Sequence, residues 1–140
     1  MRDMDETKIV QIEGIEFTLK VISRRMYRKL SFDLSRAKSL LLGDEKEINQ
    51  ENMDRIIKED PDRFYDATQK LNDAYWELVR HGVSGHRGFK TGALKEIPFE
   101  KDGEFVSEKT IENYDLNYLL IRLASEIIHF NELTDEEKKS

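Results

Sequence analysis

Cysteine is absent from this 140-residue chain. That excludes a disulfide framework, a thiol nucleophile and a thiolate metal site. Long apolar runs are also missing. The longest, such as YLLIRLA, are far shorter than the ~20 residues of a bilayer-spanning helix. The opening MRDMDETK has no apolar stretch and does not read as a secretory signal. These absences lead to the expectation of a cytoplasmic protein with no membrane partner. Catalytic spacings are lacking too. There is no HExxH, and the three histidines are scattered, with His81 and His86 five apart and His129 far along the chain. Metal sites favour two ligands on one helix face or on a tight strand pair. Asp60 and Asp62 flank a proline at a helix start, where carboxylates are expected for capping alone. No catalytic residue, cofactor site or metal site is expected, and the chain does not read as an enzyme.

What remains is enough for one domain with a real core. The charged fraction is 37% against 38% apolar, so the surface must be heavily charged. The net charge of -6 disfavours a general nucleic-acid binder. Its distribution is uneven. Between Ser23 and Leu42 stand Arg24, Arg25, Arg28, Lys29, Arg36 and Lys38 against the single acid Asp33. That segment carries +5 and leaves -11 for the rest.

Residues 8–22 alternate apolar and polar around Glu13-Gly14. A two-residue turn there sets Ile12 opposite Ile15 and Val10 opposite Phe17, on a face that continues to Leu19 and Val21. A hairpin alone is marginal, so this face must lie on helices. Ser23 reads as the N-cap of a helix reaching Leu42, with Gly43 as its stop and Met26, Leu30, Leu34, Ala37 and Leu41 as its stripe. A short helix with Met53, Ile56 and Ile57 follows the polar connection 44–50. Asp60 caps a third helix with Pro61 at its first position, a core face of Phe64, Leu71, Tyr75 and Leu78, and a stop at Gly82. The KDGE turn predicts a second, small hairpin. Ser107 or Asp115 caps a last helical region, whose apolar set runs from Leu116 through Leu119, Leu120, Leu123 and Ile127 to Phe130. The expected fold is α+β, mainly α: an N-terminal β-hairpin on a bundle of about four helices, with a short second hairpin. The globular domain spans 1–130 and the polar tail 131–140.

The stretch HGVSGHRGFKTG at 81–92 holds four of the seven glycines. A P-loop needs Lys and Ser or Thr directly after its last glycine, between a strand and a helix. Here the stretch follows a helix and lacks that pair, and the dinucleotide fingerprint fails likewise. GHRG matches a single-strand RNA-binding loop only in letters, since that loop joins two helices. The reading is a structural loop with positive φ at one or more of Gly82, Gly85 and Gly88. Two surfaces stand out besides. Arg25, Arg28, Lys29, Phe32 and Arg36 project together, away from the apolar stripe of their helix. They are covered by the acidic remainder, are solvated, or meet an acidic helix or nucleic acid. Tyr65, Trp76, Val79 and Val83 lie at the edge of the third helix, roughly 100° from its core face. They seat the hairpin or anchor a partner.

The order of features resembles the small tail-assembly chaperones of long-tailed bacteriophages. In that family a helix runs into a Val-x-x-Gly-Val/Leu-x-Gly turn, then a short apolar strand, then a terminal helix with an acidic, lysine-rich end. The matching residues are Val79, Gly82, Val83, Gly85, Phe89, Ile97, Pro98, Phe99 and Leu133 to Lys139. Where relatives often carry a large apolar residue after the second glycine, this chain has His86. The resemblance implies a non-enzymatic protein that coats the helical tape-measure protein and recruits tail-tube subunits, with self-association in some members. It also implies a longer product made by frameshifting near Lys138 and Lys139. The partner-binding residues expected on this basis are Tyr65, Trp76, Val79, Val83, Phe89, Ile121 and Ile128.

Overall fold

The computed structural model describes residues 4–43 and 49–139, with side chains through Glu132. Residues 44–48 of the expected polar connection, and the side chains of the expected tail from residue 133 on, lie outside the described residues. The chain is α+β and mainly α, with the N-terminal hairpin packed on helices.

Strands β1 (Thr7–Ile12) and β2 (Ile15–Lys20) pair antiparallel, with Ile12 opposite Ile15 and Val10 opposite Phe17. Glu13 and Gly14 both take positive φ, 51° and 79°, as a turn matched to strand twist requires. The expected loop at 82–92 is in part a third strand. Strand β3 (Val83–Arg87) pairs antiparallel with β2, giving the order β1-β2-β3. Its pairing slips between Thr18 and Leu19: Gly85 faces Thr18 while Val83 faces Leu19. Ser84 is the extra residue, and its hydroxyl donates to the Thr18 carbonyl at 3.3 Å. This bulge resets the alternation, so Val83 and His86, three apart, share a face of the sheet. Of the glycines expected at positive φ, only Gly88 adopts it, at 81°.

Helix α1 (Arg24–Leu42) begins as expected, with Ser23 Oγ accepting from the Met26 N–H. It stops at Gly43, φ 58°. The last turn of α1 has no basic residue of its own. Arg63 substitutes from another helix, donating from its guanidinium to the Leu41 carbonyl at 3.0 Å. A cation at exposed C-terminal carbonyls is favourable on dipole grounds. Helix α2 (Gln50–Glu59) buries Ile56 and leaves Ile57 exposed. Helix α3 (Pro61–Gly82), capped by Asp60, packs against α1 and α2 and against the elements that follow.

Strands β4 (Lys101–Asp102) and β5 (Phe105–Val106) form the expected second hairpin, with Gly103 at φ 67°. The last helical region, expected to start at Ser107 or Asp115, is two helices, which brings the described residues to five helices. Helix α4 (Glu108–Leu116), capped by Ser107, ends before α5 (Leu120–Lys139) begins. The break is a Schellman closure. The Leu119 N–H reaches the Tyr114 carbonyl at 2.9 Å and the Tyr118 N–H reaches that of Asp115 at 3.1 Å. Tyr118 fills the left-handed position that normally takes glycine, at φ 59°. Leu119 and Tyr114 are both buried beneath it, while Leu116, expected in the core, is exposed. Beyond the break, Leu120, Leu123, Ala124, Ile127 and Phe130 are all core. Asn131 ties α5 to the end of the hairpin, accepting from the Ile22 N–H at 3.0 Å.

Gly82 is needed for a reason other than φ. A Cβ there would lie 2.6 Å from Ile127 Cγ2, so α3 and α5 touch through the missing side chain. Gly82→Ala should therefore cost about 1–3 kcal/mol by overpacking. Ile127→Ala should cost about 2–5 kcal/mol through its cavity. The double variant should cost clearly less than the sum in a urea-denaturation cycle, because the second change makes room for the first. Tyr118→Gly should raise stability by about 0.5–1 kcal/mol, since the side chain is 92% exposed and packs against nothing it would lose. A lower melting temperature for Tyr118→Gly would show that the ring supports the turn.

Candidate functional site

The glycine and histidine stretch resolves into a part-buried polar joint. The bulge turns His86 inward, where it meets Phe17, Phe89, Phe99 and Tyr114 edge-on at centroid distances of 5.4–6.3 Å. One ring nitrogen, Nε2, lies 2.6 Å from the Ile97 carbonyl, which can only accept. Nε2 therefore carries the proton, and Nδ1 accepts from the Tyr114 hydroxyl at 2.6 Å. Burial pushes the Tyr114 phenol well above its ordinary range, so it remains a donor. Every polar atom of the two rings is thus matched, as the buried Tyr114 and the partly buried His86 require. The Gly88 N–H is likewise taken, by the Glu96 carboxylate at 3.0 Å. This arrangement joins β2, β3, the following loop and α4. It offers no open cradle for a phosphate.

A second cluster surrounds Phe105. Lys20 Nζ lies 5.6 Å and Arg80 Cζ 5.3 Å from the ring centroid, and the His81 ring stands 4.4 Å away. Burial lowers the pKa of Lys20, and Lys101 lowers it further. Burial likewise lowers that of His81, although Glu77 at 3.4 Å opposes the shift. The cluster pins the second hairpin to α3 and β2 by cation–π and stem packing.

Among the described residues a cleft of about 410 Å³ lies open between α1 and α3. Its floor is Leu30, Ala37, Leu40 and Ala74; its walls carry Asp33 and Arg36 from α1, and Lys70, Asp73 and Glu77 from α3. The two alanines leave space where larger residues would close the helix pair. An apolar floor between charged lips is the form that receives an amphipathic helix.

The residues expected from sequence fall in three groups. Arg25, Arg28, Lys29, Phe32 and Arg36 are all exposed, Phe32 at 60%, with the Arg36 guanidinium 5.7 Å from the Phe32 ring. This face is open rather than covered by the acidic remainder, and through Arg36 it adjoins the cleft. Val79, Val83 and Phe89 must be withdrawn as partner contacts. They are 0–2% exposed, because the α3–α5 contact and β3 enclose them. Trp76 is half-buried against the core, as is Ile128, while Tyr65 and Ile121 are exposed. Eleven residues, about 16 Å of helix axis, separate Tyr65 from Trp76, so they form no single anchor patch. Sequence reasoning missed the cleft. Its signals were Leu40, apolar but off the α1 stripe, and the small residues at 37 and 74.

Among the described residues no cluster of three or more His, Asp or Glu is placed to hold a metal ion, and no helix is long and apolar enough to cross a membrane. No family model, curated protein or solved structure matches the chain.

The His81 environment sets a pH dependence. With its folded pKa lowered, His81 binds fewer protons in the folded state than in the unfolded chain just below about 6.5. Its contribution to stability is present above that pH, is lost as pH falls through the window down to the folded pKa, and is level below it. Thermal melts at pH 7.5 and 5.5 should show a smaller drop for His81→Gln than for the wild type. Equal drops would assign the acid sensitivity to other groups.

Proposed function

We propose that this chain is a non-enzymatic phage tail-assembly chaperone that shields helical segments of the tape-measure protein and helps recruit tail-tube subunits. The observation that supports this most is the α1–α3 cleft, whose apolar floor of Leu30, Ala37, Leu40 and Ala74 stands open between charged walls. A tape-measure helix exposes apolar residues that need cover, and a groove of this form supplies it without catalytic chemistry. The broad apolar side of α5 supplies no such groove, because Leu120, Leu123, Ala124, Ile127 and Phe130 are spent on the core. In this reading the protein works in the cytoplasm of the host cell, and copies associate along a long partner. A second reading has one observation in its favour: the exposure of Arg25, Arg28, Lys29, Phe32 and Arg36. It is a small phage or host regulator that binds nucleic acid, or a nucleic-acid enzyme, through α1.

Co-expression with a helical tape-measure fragment tests the first reading. The wild type should retain the fragment in a pull-down and keep it soluble. Leu40→Glu, which places a charge on the half-buried floor, should weaken retention at least about tenfold while circular dichroism stays that of a folded protein. If the wild type retains no helical fragment but binds heparin at moderate salt, the regulator reading takes its place.

A further inference from the structure

We infer that the helix held in the α1–α3 cleft carries acidic side chains along the edge that lies over α1. This rests on the cleft being a helix-binding groove and specifies the chemistry of its occupant. Beside the α1 wall of Asp33 and Arg36, the residues Arg25, Arg28, Lys29, Phe32 and Arg36 fall within an arc of about 100° on the exposed face of α1, at 100° per residue. All five are exposed. The nearest acid, Asp33, is engaged by Lys29 at 3.5 Å. Among the described residues neither Arg25 nor Arg28 has an ion-pair partner, and Arg36 lines the cleft itself. On the α3 wall the balance is reversed. Lys70 is held by Asp66 at 3.1 Å, which leaves Asp73 and Glu77 as the carboxylates lining the cleft. Glu77 is shared with Arg80 at 3.5 Å and His81 at 3.4 Å, so Asp73 is the freer of the two.

The unmatched charge therefore differs across the cleft: with Asp33 engaged by Lys29, Arg36 and the basic face beside it leave α1 positive, while Asp73 and Glu77 leave α3 negative. A helix with basic residues on both edges meets repulsion from Arg36 at the cleft and from the basic face beside it. One with glutamates above α1 gains charge-assisted hydrogen bonds from guanidinium forks. Phe32 lies beside Arg36 and gives the aliphatic stems of those glutamates an apolar shelf. The pairs lie at an exposed rim, where each is weak and screened by salt. Their sum sets preference and orientation, while the floor sets the contact.

Three synthetic helical peptides with one shared leucine and alanine stripe test this on the full chain. One carries glutamates on one edge and glutamines on the other, one lysines in place of the glutamates, and one glutamines on both edges. By fluorescence anisotropy at low ionic strength, the glutamate peptide should bind about tenfold more tightly than the glutamine peptide, and the lysine peptide more weakly than either. High ionic strength should close the gap. The triple variant Arg25→Glu, Arg28→Glu, Arg36→Glu should reverse the order of the glutamate and lysine peptides. If all three peptides bind alike and the reversal changes nothing, the acidic edge is refuted while the groove stands. If none binds, the groove reading falls and the inference with it. A single-stranded oligothymidylate that binds more tightly than the glutamate peptide, and loses that binding in the triple variant, would assign this face to nucleic acid and overturn the proposal.

Discussion

The rest of the fold depends on how closely α3 approaches α5 at Gly82. Helix α3 carries the core for α1 on one side and α5 on another, and it can end against α5 only where no side chain intervenes. That contact fixes where the chain leaves the helix, and Val83 enters the sheet at the next residue. With the start of β3 fixed and its pairing to β2 set by Glu16 opposite Arg87, one residue too many lies between, and Ser84 is extruded as the bulge. The bulge in turn carries His86 to the inner face, where Tyr114 and the Ile97 carbonyl close around it. One missing Cβ thus propagates to the seating of α4 and the second hairpin.

The elements legible in the sequence are those whose signals are local. The first hairpin announced its register through Glu13-Gly14 and the alternation on either side. Ser23 and Gly43 bounded α1, and Asp60-Pro61 opened α3, because capping chemistry acts within a turn of the residue that supplies it. The misreadings share the opposite property. Strand β3 has five residues, three of them polar and one glycine, and becomes a strand only through pairing with a segment some seventy residues earlier. The bulge then hides its alternation. The break between α4 and α5 has Schellman hydrogen bonds without the glycine that would mark it, because Tyr118 accepts the left-handed backbone. Gly82 was legible as a helix end, but the cause there is contact with Ile127, which is invisible without the tertiary structure.

The candidate site divides along the same line. A basic face can be projected from one helix, and its five residues emerged as a set that the structure leaves exposed. A cleft belongs to two helices, and nothing in α1 alone shows that Ala37 stands near Ala74. Trp76 and Tyr65 drew attention as residue types that favour interfaces, but residue type carries no information on what lies beside them. The buried Val79 and Val83 read as part of an edge stripe with Tyr65 and Trp76, and Phe89 as a family contact, because the path of the chain after Gly82 was read as a loop. Once β3 joins the sheet, Val79, Val83 and Phe89 lie inside the domain.

The uneven charge acquires a physical meaning from this geometry. The core of α1 is made by Leu30, Leu34, Ala37 and Leu41, and its stability requires nothing from the opposite face beyond solubility. Mixed charges would serve solubility equally well, and elsewhere on the surface they are mixed. Six basic residues against one acid within one helix repel each other, a modest cost to the isolated domain. The acidic remainder relieves it little, because neither Arg25 nor Arg28 has an ion-pair partner among the described residues and screening limits interactions beyond about 8 Å at physiological salt. A ligand at the cleft therefore senses the α1 and α3 walls more strongly than the net charge of the protein. An acidic partner is admitted locally by a protein that would repel it at long range. Encounter is then slow and unsteered, and selectivity rests on the fit of edge to wall once the apolar floor is covered.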